Sequence, residues 1–105
     1  MFLGVGADGH TASLFPGQQS LKATDKWVLA VKGGDPDVYR LTLTLPVINA
    51  TRKAVFLVSG KKKAEIVKRI FHGRQSELPA QMVRPVSGEL IWLLDEGAAS
   101  LLRDL

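Results

Sequence analysis

Five stretches of mainly apolar residues recur along this chain and predict strands. They cover residues 1–5, 27–31, 39–45, 54–58 and 90–94. The stretch 54–58 (AVFLV) is apolar throughout, as expected of a strand that is covered on both faces. The stretch 39–45 alternates, with three leucines on one face and Arg40, Thr42 and Thr44 on the other. That pattern predicts a half-buried strand with a polar working face.

Helical segments are predicted between these strands. In residues 61–71 (KKKAEIVKRIF) the apolar positions recur at helical spacing, which predicts an amphipathic helix with a basic outer face, ended by Gly73. Shorter helical segments are predicted at 11–15, 47–50, 78–83 and 96–102, the last of them capped by Asp95. Loops are expected at 6–10, 17–26, 35–37 and 72–78. Strands separated by helices predict an α/β architecture with a largely parallel sheet.

Composition narrows the class of protein. The chain has 105 residues, of which 46% are hydrophobic and 23% charged, as in one small globular domain. It has no cysteine, which excludes disulfides and cysteine-based zinc sites and fits a reducing compartment such as the cytoplasm. No apolar run approaches the roughly 20 residues of a membrane span, so we expect no membrane partner. The net charge of +4 suits an anionic ligand, either a phosphorylated metabolite or a nucleic acid.

The segment GVGADG at 4–9 has the G-x-G-x-x-G spacing of a dinucleotide-binding loop. Asp25 lies near the distance at which a ribose-binding acid would follow. However, Pro16 interrupts the helix that should receive the pyrophosphate, and Asp8 places a negative charge inside the loop. We therefore do not expect a dinucleotide cofactor.

Asp8 and His10 make the same loop a candidate catalytic loop. Gly9 between them lets the backbone bend sharply, so that both side chains can face one cleft. A carboxylate beside an imidazole fixes its tautomer and orientation, and the imidazole can then take a proton from water and later return it. The loop follows a strand, at the end where α/β sheets place their sites. An Asx-turn at Asp8, with His10 as a surface residue, is the alternative interpretation.

Four segments of the chain resemble those of the 6-phosphogluconolactonases, which belong with the glucosamine-6-phosphate isomerases/deaminases. They are GVGADGHTASLFPG at 4–17, RLTLTLPVINATR at 40–52, FLVSGKKKAEIVKRI at 56–70 and LPAQMVRPVSGELIWLLDEGAASLL at 78–102. This resemblance implies a Rossmann-like three-layer α/β sandwich. It also implies hydrolysis of 6-phospho-D-glucono-1,5-lactone to 6-phosphogluconate in the pentose phosphate pathway, with a sugar phosphate lactone as the ligand and no metal or cofactor.

The resemblance further implies roles for individual residues. His10 becomes the candidate general base that activates water, and Asp8 the residue that orients it. Substrate or phosphate binding is implied for Gly6, Gly9, Arg40 and Lys63. These residue types suit a phosphate, because arginine offers a bidentate fork and lysine a point charge. Ser59-Gly60, at the start of a predicted helix, is expected to add free backbone N–H groups.

Two other functions are compatible with parts of the sequence. The related isomerases/deaminases share the D-G-H loop but usually continue into an Asn-Glu-Pro segment, whereas this chain continues as Thr-Ala-Ser without a carboxylate. That difference favours the lactonase. A basic nucleic-acid-binding module could be built on GKKKAEIVKR, but the aromatic residues lie in apolar runs and are expected in the core rather than as stacking platforms. They are Trp27, Phe56, Phe71 and Trp92.

The resembling enzymes are considerably longer than this chain. Their N-terminal half contains a strand and a Ser/Gly-rich loop that grips the phosphate, and neither has a counterpart here. Residues 1–105 are therefore expected to form the C-terminal part of a single domain. Such a chain would be either an inactive fragment or one completed by a complementing N-terminal half.

Overall fold

A computed structural model describes residues 1–74 and 77–102, which contain five strands and two α-helices. The strands are β1 (Phe2–Leu3), β2 (Val28–Gly33), β3 (Val38–Leu43), β4 (Lys53–Val58) and β5 (Glu89–Leu94). The helices are α1 (Leu45–Ile48) and α2 (Ala64–His72). Short 3-10 turns cover Gln19–Lys22, Lys61–Lys63 and Pro79–Met82. In the described part of the chain, no helix is long and apolar enough to cross a membrane.

The strands form two separate sheets. In the first, β4 lies between β1 and β5, and both pairings are parallel, with Val55 opposite Phe2 on one side and Ile91 on the other. In the second, β2 and β3 form an antiparallel hairpin. The predicted α/β class with a parallel sheet is confirmed. The antiparallel pairing of β2 with β3 follows from their short connection, since parallel neighbours would need a long crossover.

The hydrophobic core lies against one face of the parallel sheet. Phe56 and Val58 of β4 are buried in one cluster with Ile66 and Val67 of α2. The helix was predicted from its spacing, and it ends where Gly73 donates its amide to the carbonyl of Arg69. In this structure α2 therefore supplies a helical layer on one side of the sheet.

Of the predicted core aromatics, Phe56 lies in that cluster, and Phe71 and Trp92 pack against it. Phe56 stacks on Trp92 with ring centroids 3.9 Å apart, and Phe71 meets the same indole edge-on at 5.2 Å. The prediction for Trp27 is wrong, because its side chain is exposed. Trp27 precedes the hairpin strand β2, and the fold leaves it at the surface.

The prediction that residues 54–58 are covered on both faces is wrong at Leu57. Its side chain is 51% exposed, while Ala54 and Phe56 are fully buried. The described residues place the core on the face that carries Ala54 and Phe56, and Leu57 points to the other.

The alternation predicted for residues 39–45 is present, but the buried face is the polar one. Leu41 is 75% exposed, whereas Thr42 is 4% exposed and Thr44 is fully buried. Both threonine hydroxyls have partners in the neighbouring loops: Thr42 accepts from the amide of Ser13, and Thr44 donates to the carbonyl of Lys26. Because these partners satisfy the hydroxyls, the polar face can be buried at little cost.

Two predicted helices are replaced by turns. Residues 11–15 form a tight turn in which the amide of Leu14 donates to the carbonyl of Thr11 at 2.9 Å. Residues 96–101 also form turns, although Asp95 caps them as predicted by accepting from the amide of Ala98 at 2.9 Å. Part of the loop predicted at 72–78 lies outside the described residues.

Candidate active site

The glycine loop is closed by its own backbone and by a buried threonine. It follows β1, and the amide of Gly6 donates to the carbonyl of His10, while the amide of Gly9 donates to Gly6, both at 2.9 Å. The hydroxyl of Thr11 donates to the carbonyl of Gly4 at 2.8 Å. The structure continues from this loop into a turn rather than a helix, so there is no helix N-terminus to receive a pyrophosphate at residues 11–15.

Asp8 and His10 form a hydrogen-bonded pair in this loop. Oδ1 of Asp8 lies 2.6 Å from Nδ1 of His10 and also accepts from the His10 amide at 3.1 Å. Partial burial disfavours the Asp8 carboxylate, but the hydrogen bonds from His10 and the attraction of its ring outweigh this and hold the pKa of Asp8 below its ordinary value of 3.8. An ionised carboxylate only accepts hydrogen bonds, so Nδ1 carries the hydrogen. In the neutral ring, Nε2 is then the basic nitrogen.

At Gly6 and Gly9 the backbone of the loop lies close against neighbouring side chains. A Cβ at Gly6 would overlap with Cε1 and Nδ1 of the His10 ring, so the imidazole rests directly on this glycine. Gly9 has a φ of 88°, and a Cβ there would come within 2.9 Å of Leu78. A side chain at either position would displace the loop or the imidazole.

The ring of Phe15 lies beside that imidazole. The two ring centroids are 4.9 Å apart with an interplanar angle of 44°, and Phe15 is buried. Phe15 also approaches the backbone of Gly33 and Gly34, where β2 ends and the hairpin turn begins. It therefore links the orientation of His10 to the position of the hairpin.

A cleft of about 580 Å³ opens beside the pair, a volume typical of small-molecule sites. It is lined by Ala7, Asp8, His10, Phe15, Pro16, Gln18, Gly34 and Asp35. The structure thus brings Asp8 and His10 to one cleft, as predicted. Sequence reasoning missed Gly34 and Asp35, since only the folding of the hairpin brings them to the glycine loop.

Arg40 lies beside the cleft but is not among the described residues that line it. Its Nε donates to the carbonyl of Gly33 and its Nη2 to that of Pro36, both at 2.9 Å. These bonds hold the hairpin turn whose members Gly34 and Asp35 line the cleft. The guanidinium therefore positions this turn.

Lys63 contacts the backbone at the start of the glycine loop. Its Nζ donates to the carbonyl of Val5 at 2.6 Å, and the side chain is half buried. This bond ties the start of α2 to the glycine loop. Within the described part of the chain, Lys63 and Arg40 each hold a different segment, and neither lines the cleft.

The amide of Gly60 is not free, contrary to the expectation for Ser59-Gly60. It donates to both carboxylate oxygens of Asp95, at 3.1 and 3.2 Å. Hydrogen bonds from Ala98 and then Gly60 hold the pKa of Asp95 below its ordinary value of 3.8, so the carboxylate is ionised at neutral pH. An anion approaching Gly60 would meet this negative charge.

A family model described as "Glucosamine-6-phosphate isomerases/6-phosphogluconolactonase" matches residues 1–92. The chain is 50% identical over 105 residues to a rat protein named 6-phosphogluconolactonase, covering 97% of this chain and 40% of that protein. The crystal structure of a devB protein superposes with a TM-score of 0.88 at 38% identity, covering 97% of this chain and 43% of that one. A 6-phosphogluconolactonase from Trypanosoma brucei gives a TM-score of 0.80 at 35% identity, with 97% and 41% covered. The chain therefore spans about two-fifths of the length of the relatives that it matches.

Proposed function

The chain belongs to the glucosamine-6-phosphate isomerase/6-phosphogluconolactonase family, and we propose that its site hydrolyses 6-phospho-D-glucono-1,5-lactone to 6-phosphogluconate, a reaction of the pentose phosphate pathway. The observation that carries this proposal is the 2.6 Å contact between Asp8 and Nδ1 of His10 at the edge of a cleft. The relatives named 6-phosphogluconolactonase support the same reaction. A cytoplasmic location, expected from the absence of cysteine, belongs to the proposal.

The proposed reaction needs one base and one water molecule. Nε2 of His10 takes a proton from water while the oxygen attacks the lactone carbonyl carbon. The imidazolium that forms is stabilised by the ionised Asp8 through Nδ1–H. The tetrahedral intermediate then expels the ring oxygen as the C–O bond breaks, and the imidazolium returns its proton to that oxygen. The lactone carries its own leaving group, so the reaction requires no covalent intermediate.

The charges around the cleft suggest how the substrate lies. Asp8 and Asp35 both line it, and two carboxylates would repel a phosphate group. We expect the lactone ring to lie against His10 and the phosphate to lie beyond the cleft. Arg40 and Lys63 remain the proposed phosphate ligands. They would donate to the phosphate the N–H hydrogens that are not already bonded to backbone carbonyls.

The remainder of the substrate site belongs, in this proposal, to a complementing N-terminal half. The relatives are more than twice as long as the matched region, so each of them contains polypeptide that these 105 residues do not represent. We propose that this polypeptide supplies the other phosphate contacts.

Lactone hydrolysis by the purified chain, above the spontaneous rate, tests the proposal. We expect His10→Ala to lower the rate by about 10²–10⁴-fold, the usual contribution of a general base. The matched control is His72→Ala, because His72 is the other histidine and is exposed at the end of α2. Equal activity of His10→Ala and the parent would exclude His10 as the base. If neither the parent chain nor His10→Ala hydrolyses the lactone, the assay is repeated with the complementing half present.

A further inference from the structure

The cleft beside His10 is acidic, although the chain as a whole carries a net charge of +4. Two carboxylates line it, and they come from different parts of the chain. Asp8 lies in the glycine loop, whereas Asp35 lies in the turn at residues 34–37 between β2 and β3. Among the residues that the structure describes, no lysine or arginine lines this cleft. The cleft therefore disfavours an anion beside His10.

The two carboxylates differ in their partners. Oδ1 of Asp8 lies 2.6 Å from Nδ1 of His10, so its charge is paired whenever the imidazole takes up a proton. The exposed Asp35 forms no salt bridge with any described residue. When the imidazole is protonated, Asp8 and His10 are neutral as a pair, and Asp35 is the remaining negative charge of the described lining. An anion that the imidazolium attracts would meet this charge.

The backbone that carries Asp35 is held in place from both sides along the chain. Arg40 donates from Nε to the carbonyl of Gly33 and from Nη2 to that of Pro36, both at 2.9 Å. The buried ring of Phe15 packs against the backbone of Gly33. A charge on a fixed segment of backbone acts from one side of the cleft, so it can distinguish between two orientations of a bound ligand.

The two ends of the proposed substrate respond differently to a carboxylate. The lactone ring carries hydroxyl groups, which donate hydrogen bonds to it, whereas the phosphate carries a charge of about −1.5 to −2 at neutral pH and is repelled. We propose that Asp35 is a specificity-determining residue whose charge keeps the phosphate end of the substrate, and free inorganic phosphate, out of the cleft beside His10. The lactone ring then enters in its place. This inference rests on the proposed function and deepens it.

Titration of the purified chain with inorganic phosphate tests this role without requiring catalysis. The ring resonances of His10 are followed by NMR at constant pH and ionic strength, and those of the exposed His72 report non-specific effects of the anion. Asp35→Asn removes the charge but keeps the shape of the side chain, and we expect it to bind phosphate at least about tenfold more tightly than the parent. The matched control is Asp37→Asn, which removes the same charge from the same turn at a residue that does not line the cleft. Equal affinities in the parent and Asp35→Asn, or an equal gain in Asp37→Asn, would overturn the proposal.

The kinetics of lactone hydrolysis give a second, independent readout. In Asp35→Asn, substrate bound with its phosphate beside His10 is unproductive, so we expect kcat and KM for the phosphorylated lactone to fall together while kcat/KM is unchanged. The loss of kcat should be at least about threefold larger than for unphosphorylated gluconolactone, which has no phosphate end to exclude. Equal losses for the two lactones would assign Asp35 a structural role and overturn the proposal. A parent chain that hydrolyses neither lactone, even with the complementing half present, would count against the proposed function, and the phosphate titration would then decide the role of Asp35 by itself.

Discussion

The imidazole of His10 rests on the backbone of Gly6, where a Cβ would overlap with the ring. The contact holds the ring in the position from which Nδ1 reaches Asp8. It gives the second glycine of the G-x-G-x-x-G pattern a role in orienting a histidine. The same spacing in a dinucleotide-binding loop serves the approach of a pyrophosphate.

Gly6→Ala should therefore displace the imidazole. We expect a roughly hundredfold loss of lactone hydrolysis, because a small misplacement of a reacting group has an effect of that size. We also expect the Nδ1–H proton resonance of His10, seen by NMR, to move or disappear. The control is Gly4→Ala, since a Cβ at Gly4 meets no atom within 4 Å. Unchanged activity in Gly6→Ala would show that the ring can shift without consequence.

Asp8→Asn should change how stability depends on pH. The folded-state pKa of Asp8 is depressed, so its contribution to stability is present above pH 3.8 and is lost as the pH falls through the lower folded-state value. We expect the variant to be less stable than the parent at pH 7 in urea unfolding, with the difference shrinking below pH 3.8. Asp25→Asn, at an exposed position, is the control. A difference that persists unchanged into strong acid would contradict this role for the Asp8 charge.

The Phe15→Leu variant should distinguish a role of Phe15 in positioning His10 from a role in folding. We expect a loss of about 1 kcal/mol in stability, because the change preserves most of the buried apolar volume. The value of kcat should fall about tenfold with little change in KM, since the imidazole loses its aromatic neighbour. Phe71→Leu removes a ring that contacts Trp92, and it should lower stability alone. Equal effects of the two variants on kcat would assign Phe15 to the core only.

Thr42→Val should loosen the turn that follows the glycine loop. The buried hydroxyl of Thr42 accepts from the amide of Ser13 at 3.1 Å, and the variant leaves this amide without its partner. We expect about 1–3 kcal/mol of destabilisation in denaturant unfolding and faster hydrogen exchange at Ser13. The exposed Thr24 provides the control, Thr24→Val. Retained protection of the Ser13 amide would argue against this bond.

Lys63→Gln should reveal whether the lysine binds phosphate in addition to Val5. A phosphate contact predicts a KM at least about tenfold higher for the phosphorylated lactone, with the unphosphorylated gluconolactone unaffected. A purely structural role, through the 2.6 Å bond to the carbonyl of Val5, predicts equal losses for both lactones. Comparing the two substrates therefore distinguishes the roles in a single variant.

The strand positions and the pairing of Asp8 with His10 could be predicted from the sequence because both depend on local chemistry. Apolar runs identify strands, and two residues separated by a glycine meet without help from distant segments. The helix predicted at 11–15 was wrong because Thr11 instead donates to Gly4 and closes the loop. A hydrogen-bonding side chain can thus outweigh a weak helical pattern.

Only the tertiary structure decided which face each strand buries and which backbone carbonyls the side chains of Arg40 and Lys63 bind. The threonines of β3 face inward because loops distant in sequence supply their hydrogen-bond partners, and Leu41 is exposed as a result. Arg40 binds the hairpin turn and Lys63 the glycine loop, contacts that spacing along the chain does not encode. By itself the sequence determined the contact between Asp8 and His10 and the α/β class, since near neighbours suffice for the first and periodicity for the second. Which side chains are buried depends instead on the segments, distant in the sequence, that pack against each strand.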